Sequence, residues 1–272
     1  MPGNDPDFLI IGAQKSGTSS LHYYLNQHLN LVGSKPKEVH YFERYINYPN
    51  KNLNWYKNHF KALSSKDKLF FEASPNYIYH EAAAIRIKEN YPDIKLILIL
   101  RDPVHRAFSA WNMYHDYYKT GVAKKKLRDG RYPNTENEVY LHLFKGRSVF
   151  PTFRETVNLE LKLMQDGVYK EPSILRRGLY LEQIKNYLKY FKRSQLLILG
   201  FRELVREPLL VCNTVLDFID LKGRNMQHLT LEIKNKRSYD FQLQEEDKKF
   251  LSEFYAEANL QLFTFLKRDL DW

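Results

Sequence analysis

Residues 8–29 read FLIIGAQKSGTSSLHYYLNQHL: an apolar run, a loop bounded by Gly12 and Gly17, then a helical stretch opening on Thr18-Ser19-Ser20. A strand that feeds a glycine-bounded turn into a helix aims backbone N–H groups and the positive end of the helix dipole at one spot, which suits an anion. The two glycines bracket four residues, as in the triphosphate-binding pattern G-x-x-x-x-G-K-[ST]. The chain then departs from that pattern. Thr18 stands where the pattern has its lysine, and the lysine of this loop, Lys15, lies inside it. In the triphosphate loop the lysine reaches the outer phosphates and the next hydroxyl holds Mg²⁺. Without that pair, the loop suits a shorter anion handled without a metal, such as a 5′-phosphosulfate.

Working outward, strand-like apolar runs recur at 94–100 (IKLILIL) and 196–201 (LLILGF), with a shorter one at 68–71. Runs apolar on both sides of the backbone read as strands of a buried parallel sheet. Helical stretches lie between them, at 19–30, 81–90, 103–118 and 178–191, and a long amphipathic one spans 244–266. Pro103 and Pro208 fall where first-turn prolines belong. The alternation predicts an α/β fold: a P-loop-like parallel sheet flanked by helices on both faces. No internal repeat and no Pro/Gly/Ser linker divides the chain, so 1–272 reads as one domain. Two segments break the alternation, near 35–54 and 120–151, and read as substrate-side insertions beyond the strand ends.

The 272 residues carry a net charge of +10 and are 43% hydrophobic, enough for a large buried core. A basic field steers anionic ligands toward the surface. It does not by itself specify nucleic acid, and no zinc-finger, RNP or heptad pattern supports a nucleic-acid partner. With Cys212 as the lone cysteine, no intramolecular disulfide forms. No apolar run approaches the ~18 residues that a bilayer span needs, and the first residues, MPGNDPDFLII, lack the basic and apolar regions of a leader. These features predict a cytoplasmic protein without stable membrane insertion, and an excised catalytic domain would read the same way.

The second signal is LRDPVHRAFSAW, residues 100–111. An apolar strand delivers Arg101 to its end and Pro103 starts a helix, on which Ser109 follows about 11 Å along the axis. One reading brings Arg101 and Ser109 onto one anion as a guanidinium plus a hydroxyl. The other makes Arg101-Asp102 an ion pair and Asp102 a helix cap.

Here the chain resembles the PAPS-dependent sulfotransferases, where PAPS is 3′-phosphoadenylyl sulfate, in their heparan sulfate and bacterial glycan-type branch. The resemblance covers nearly the whole length and rests on IIGAQKSGTSSL (10–21), KEVHYFE (37–43), FEASPNYI (71–78), LILRDPVHRAFSAW (98–111) and RGLYLEQIKNYLKYF (177–191). It implies that Lys15, Ser16, Gly17, Thr18 and Ser19 hold the 5′-phosphosulfate and that Arg101 and Ser109 hold the 3′-phosphate. It places Tyr180 near the nucleotide and matches Lys234, Lys236 and Arg237 to a basic loop over the cofactor. Glu38 matches the family's base, His40 would orient that base or the acceptor, and Glu43 lies on the acceptor side. Alternation along an extended segment would put Glu38 and His40 on one side. The sequence departs from the heparan sulfate enzymes at Ala73, where they carry a lysine directly after the glutamate that Glu72 matches. That removes a cation expected near the reaction centre and weighs against a heavily anionic glycan.

Sulfuryl transfer is an in-line displacement governed by positioning and electrostatics, and the sulfuryl group carries less charge than a terminal phosphate, so no metal is required. The expected activity moves the sulfuryl group of PAPS, leaving PAP, to a hydroxyl or amine of a carbohydrate, glycolipid or other small acceptor. Lys15 stabilises the leaving phosphate and Glu38 takes the proton. The rivals are a P-loop kinase or NTPase, which lacks its Gly-Lys-Ser/Thr here, and a nucleotide-binding protein without turnover.

Overall fold

A strand apolar on both sides is stable only inside a covered sheet, and β1 (Phe8–Gly12), β4 (Lys95–Leu100) and β5 (Leu196–Gly200) are of that kind. In the computed structural model they join β2 (Leu31–Gly33) and β3 (Leu69–Ala73) in a five-stranded parallel sheet of order β2-β3-β1-β4-β5. The residues described are 4–44, 47–48, 50–61, 67–122, 142–167, 173–221, 226–231 and 240–272. The sequence pattern does not reveal β2, because three residues show no period; its pairing with β3, from Leu31 opposite Leu69 to Gly33 opposite Phe71, makes it a strand.

Side-chain alternation sorts the sheet into two apolar faces. Phe8, Ile10, Phe71, Ile97, Ile99 and Leu199 share one cluster with α1 (Thr18–Leu25) and α8 (Pro208–Phe218). Phe8 and Phe71 are paired in register, and their rings stack at 4.8 Å. The fully buried Cys212 lies in this cluster, where burial pushes its thiol up to about 12. On the other face, Leu9 stands opposite Glu72, whose carboxylate meets Tyr56 of α2 (Leu53–Lys57) and Tyr77. There α3 (Glu81–Asn90) packs with α6 (Tyr180–Leu188), and Tyr187 donates to the Tyr77 carbonyl at 2.9 Å. Each fully buried Leu, Ile or Phe on these two faces contributes about 1.5–3 kcal/mol.

The chain forms two compact units: 1–101 with 180–237 and 266–272, and 102–179 with 238–265. The first holds the sheet, with α7 (Phe201–Arg206) following β5. The second is helical, comprising α4 (Pro103–Lys119), α5 (Phe153–Gln165) and most of α9 (Glu245–Leu266) around Phe108, Trp111, Phe153 and Tyr255. In it the buried Glu160 carboxylate takes the N–H groups of Ile174, Leu175 and Arg176 at 2.7–3.0 Å, closing a turn that leads to a short 3-10 segment at Arg176–Gly178. Of the segments read as insertions, residues 45, 46, 49 and 123–141 lie outside the described residues.

Two boundaries differ from the sequence reading for local reasons. The helix expected at 19–30 stops at Leu25, because the Asn26 side chain bonds the His22 carbonyl at 2.7 Å and accepts the Gly33 N–H at 2.8 Å, turning the chain toward β2. The helix at Phe153–Gln165 was not expected, although Thr152 and Glu155 form a capping box at its start.

Gly12 leaves no room for a side chain. A Cβ there would stand 2.4 Å from Ile78 Cγ2 and 3.1 Å from Leu98 Cδ1. Gly12→Ala is therefore expected to destabilise the protein by about 1–3 kcal/mol, the usual range for overpacking. Urea unfolding followed by circular dichroism checks this, through a lower midpoint at unchanged slope.

Candidate active site

The chain leaves β1 toward β3 and β2 on one side, and later strands fill the other side through β4 and β5. In open α/β sheets the crevice outside the strand C-termini at such a reversal is where ligands sit. The Gly12–Gly17 loop ends there. Gly17 caps α1 at φ 90°, a left-handed conformation, and a Cβ on it would meet Leu204 and Phe201 at 3.0–3.2 Å, so glycine is required twice over. The first turn of α1 carries no acidic residue. Ser16 is fully buried, yet its hydroxyl has no hydrogen-bond partner among the described residues. A buried donor left unsatisfied is costly, and an anion in the loop would complete it.

Arg101, at the end of β4, braces this loop: its Nη1 donates to the Lys15 carbonyl at 3.0 Å, and its guanidinium lies 4.7 Å above the Phe201 ring. Tyr180 is buried, donates through its hydroxyl to the Arg101 carbonyl at 2.7 Å, and meets Trp272 edge-on. Lys15, Arg101 and Tyr180 thus come together in the first unit. Ser109 belongs to the second unit, where it is buried on α4. Asp102 caps α4 by accepting from the Val104 N–H at 2.9 Å, and it also pairs with His105. Lys234, Lys236 and Arg237 lie outside the described residues.

After β2 the chain builds an acid–imidazole–acid row. Glu38 Oε2 is 3.2 Å from His40 Nε2, and His40 Nδ1 is bonded to Glu43 Oε1. The expected neighbourhood of Glu38 and His40 is present, but not through strand alternation: His40 sits at φ 57°, in the left-handed region, just before a turn at 41–43. The other Glu38 oxygen meets Lys37 Nζ at 2.9 Å, and the same ammonium is 3.5 Å from Thr18 Oγ1. Lys37 therefore links the acidic row to the anion loop. Burial opposes charge on both partners, yet the contacts win. The His40 bond and the Lys37 charge hold Glu38 at about 2, and the bonds to Glu38 and Glu43 hold His40 up at about 9. At neutral pH the row is a carboxylate, an imidazolium and a carboxylate.

Over residues 5–253 the sequence matches the family described as sulfotransferase domain. The chain belongs to the sulfotransferase family. It is similar to the membrane-associated sulfotransferase kil1 of Dictyostelium discoideum, 26% identical over 98% of this chain and 66% of that protein. It is similar too to the human bifunctional heparan sulfate N-deacetylase/N-sulfotransferase 3, 26% identical over 97% of this chain but 30% of that protein. The chain thus spans less than two thirds of the length of these relatives. Among solved structures, a sulfotransferase from Alicyclobacillus acidocaldarius aligns over 98% of this chain and 97% of its own at 25% identity and TM-score 0.67. Mouse SULT7A1, solved in complex with PAP, shares the fold at 14% identity and TM-score 0.50, over 95% of this chain and 85% of its own. No helix among the described residues of this sulfotransferase is long and apolar enough to cross a membrane.

Sequence reasoning assigned no role to Lys37, Phe201 or Glu72, all of which shape the site of this sulfotransferase. Lys37 was visible as the cation preceding Glu38. Glu72 was visible as an acid inside an apolar strand, where a carboxylate persists only if the fold supplies partners. Phe201 carried no signal, since an aromatic after a strand is ordinary core.

The row also predicts a pH dependence. His40 is raised from 6.5 to about 9, so its contacts stabilise the fold fully below 6.5 and lose that effect as pH rises through 9. Glu38 is lowered from 4.5 to about 2, so its contribution is present above 4.5 and is lost as pH falls through 2. The stability difference between the parent and His40→Gln is expected to be largest between pH 4.5 and 6.5 and to shrink toward zero above pH 9. Chemical denaturation across that range measures it.

Proposed function

We propose that this sulfotransferase moves the sulfuryl group of PAPS to a hydroxyl or amine of a carbohydrate, glycolipid or other small acceptor. The observation that carries the reading is the junction at Lys37, which joins an anion loop with a buried, unpartnered Ser16 hydroxyl to a carboxylate held by an imidazolium. The chain's similarity to sulfotransferases, one of them named for heparan sulfate, and to a fold neighbour solved with PAP supports it. The residues that would hold the 5′ end are Lys15, Ser16, Gly17, Thr18 and Ser19. Arg101 and Ser109 would hold the 3′-phosphate, with Tyr180, Lys234, Lys236 and Arg237 toward the nucleotide. When bound, PAPS supplies an activated sulfuryl group on a phosphate leaving group.

In this reading the Lys15 ammonium neutralises charge arriving on the leaving oxygen, work that Mg²⁺ shares in kinases. Glu38 receives the acceptor proton. Held at about 2 it is a weak base toward a free alcohol, so proton uptake follows rather than precedes attack, as the attacking oxygen becomes more acidic. His40 fixes Oε2, and Lys37, on its flexible stem, can leave Oε1 to the acceptor. Glu43 keeps His40 charged and in place. Ala73 faces the apolar cluster of the sheet and supplies no cation, so the acceptor favoured is less anionic than heparan sulfate.

PAP is expected to raise the melting temperature strongly and ATP with Mg²⁺ much less, by mass action on the native state. Thermal-shift titrations with the two ligands test it, and equal or greater stabilisation by Mg-ATP removes the sulfotransfer reading of this loop. Lys15→Ala should lower kcat by about 10²-fold or more, with PAP affinity falling less because the loop amides remain. Glu38→Gln should lower turnover by about 10²–10⁴-fold while leaving PAP binding near parental. Steady-state transfer from labelled PAPS across an acceptor panel reads both, and parental rates would take the altered residue out of the chemistry.

A further inference from the structure

Behind the acid–imidazole row lies a second, fully buried acid that the chemistry above does not use. Glu72 is the last residue but one of β3, and around it the residues that follow the strand and the row are stitched together. Three successive backbone N–H groups of the row each find a partner in this group. The Val39 N–H donates to Glu72 Oε1 at 3.0 Å, the His40 N–H to Ser74 Oγ at 3.2 Å, and the Tyr41 N–H to the Tyr77 hydroxyl at 3.1 Å. Both hydroxyls pass the polarity on: Ser74 donates to Glu72 Oε1, and Tyr77 sits 2.9 and 3.0 Å from the two Glu72 oxygens. Tyr56 adds a donor to Oε2 at 2.7 Å.

The direction of these bonds bears on the charge. Ser74 and Tyr77 accept from backbone N–H groups, so their own hydrogens point at Glu72, as does that of Tyr56. A carboxylate accepts at every lone pair, whereas a protonated acid would set its hydrogen against a donor. Burial, joined by the Glu43 charge, raises the Glu72 carboxyl on balance, and the hydrogen bonds of Ser74, Tyr56 and Tyr77 offset only part of that. The three hydroxyls and the Val39 N–H thus converge on the one Glu72 carboxyl group.

We propose that Glu72, acting through Ser74 and Tyr77, is the positioning residue of the reaction: it holds residues 39–41 in the one backbone course that sets the His40 ring between Glu38 and Glu43. The need for such a hold is visible in His40 itself, which at φ 57° occupies a region that L-residues enter at a cost and keep only when their surroundings over-determine it. Free to relax, His40 would leave the left-handed region and swing its ring out of line with both carboxylates. The inference rests on reading Glu38 and His40 as the proton-handling pair.

The test follows the His40 ring by NMR, its signals assigned by their loss in His40→Gln, in the full chain and its Ser74→Ala and Tyr77→Phe variants. The groups facing the ring are Glu38, Glu43 and Arg44, with Lys37 beyond Glu38 and His80 beyond Glu43, and none is altered. The parental midpoint is expected near 9, and each variant should move it down toward 6.5, with PAP affinity, read by calorimetry, close to parental. Glu72→Gln, which turns one acceptor into a donor facing donors, should shift it furthest; if that variant does not fold, the two hydroxyl variants decide. Parental midpoints in both hydroxyl variants overturn the proposal. So does loss of PAP binding in step with the shift, which would mark a general structural role. If Glu38→Gln turns over at the parental rate, the reading of Glu38 fails, while the His40 titration still reports whether the Glu72 group sets the ring.

Discussion

Parallel pairing of β1 with β3 on one side and β4 on the other is the constraint from which the site follows. It sets three strand ends side by side: Gly12 opening the anion loop, Ala73 leading into Ser74, and Leu100 delivering Arg101. Each end contributes a different kind of group, namely loop amides with Lys15, the Glu72 acceptor, and a guanidinium. Register, more than any one side chain, decides that these meet, because a shift of one residue would turn each of them to the opposite face.

The charges arranged there are segregated with one crossing point. Cations and helix amides gather on the loop side, carboxylates on the side of residues 38–43, and Lys37 touches both. Such an arrangement resists collapse into a single salt bridge, because each carboxylate of the row is already committed to His40. It also explains why Glu43, buried with a carboxyl held low chiefly against the penalty of its burial, persists as an anion: the His40 contact offsets the desolvation.

Much of this was legible in the sequence. β1, β4 and β5 announced themselves because both of their faces are buried, and the loop announced itself through Gly12, Lys15 and Gly17. β2 was not legible, since its strand character comes from a neighbour and not from its own three residues. The end of α1 was hidden in a side-chain contact, Asn26 with Gly33, that no local pattern encodes. The closeness of Glu38 and His40 was anticipated from an extended backbone that is not there; the contact exists with His40 in the left-handed region. Ser109 was readable as a hydroxyl two turns along a helix, whereas its burial depends on tertiary packing that spacing along a chain does not determine.

The lone thiol has a practical corollary. Cys212 sits at the helical face of the sheet with no solvent contact, and its proton is held far above the usual range. A thiol so protonated and shielded is slow toward alkylating and oxidising reagents until the packing around it opens. At a fixed reagent concentration its labelling rate therefore reports the opening of the α1–α8 layer, scaling with the free energy of that excursion. The chain carries its own site-specific reporter of cooperativity, one that needs no engineered probe and leaves the crevice on the strand ends untouched.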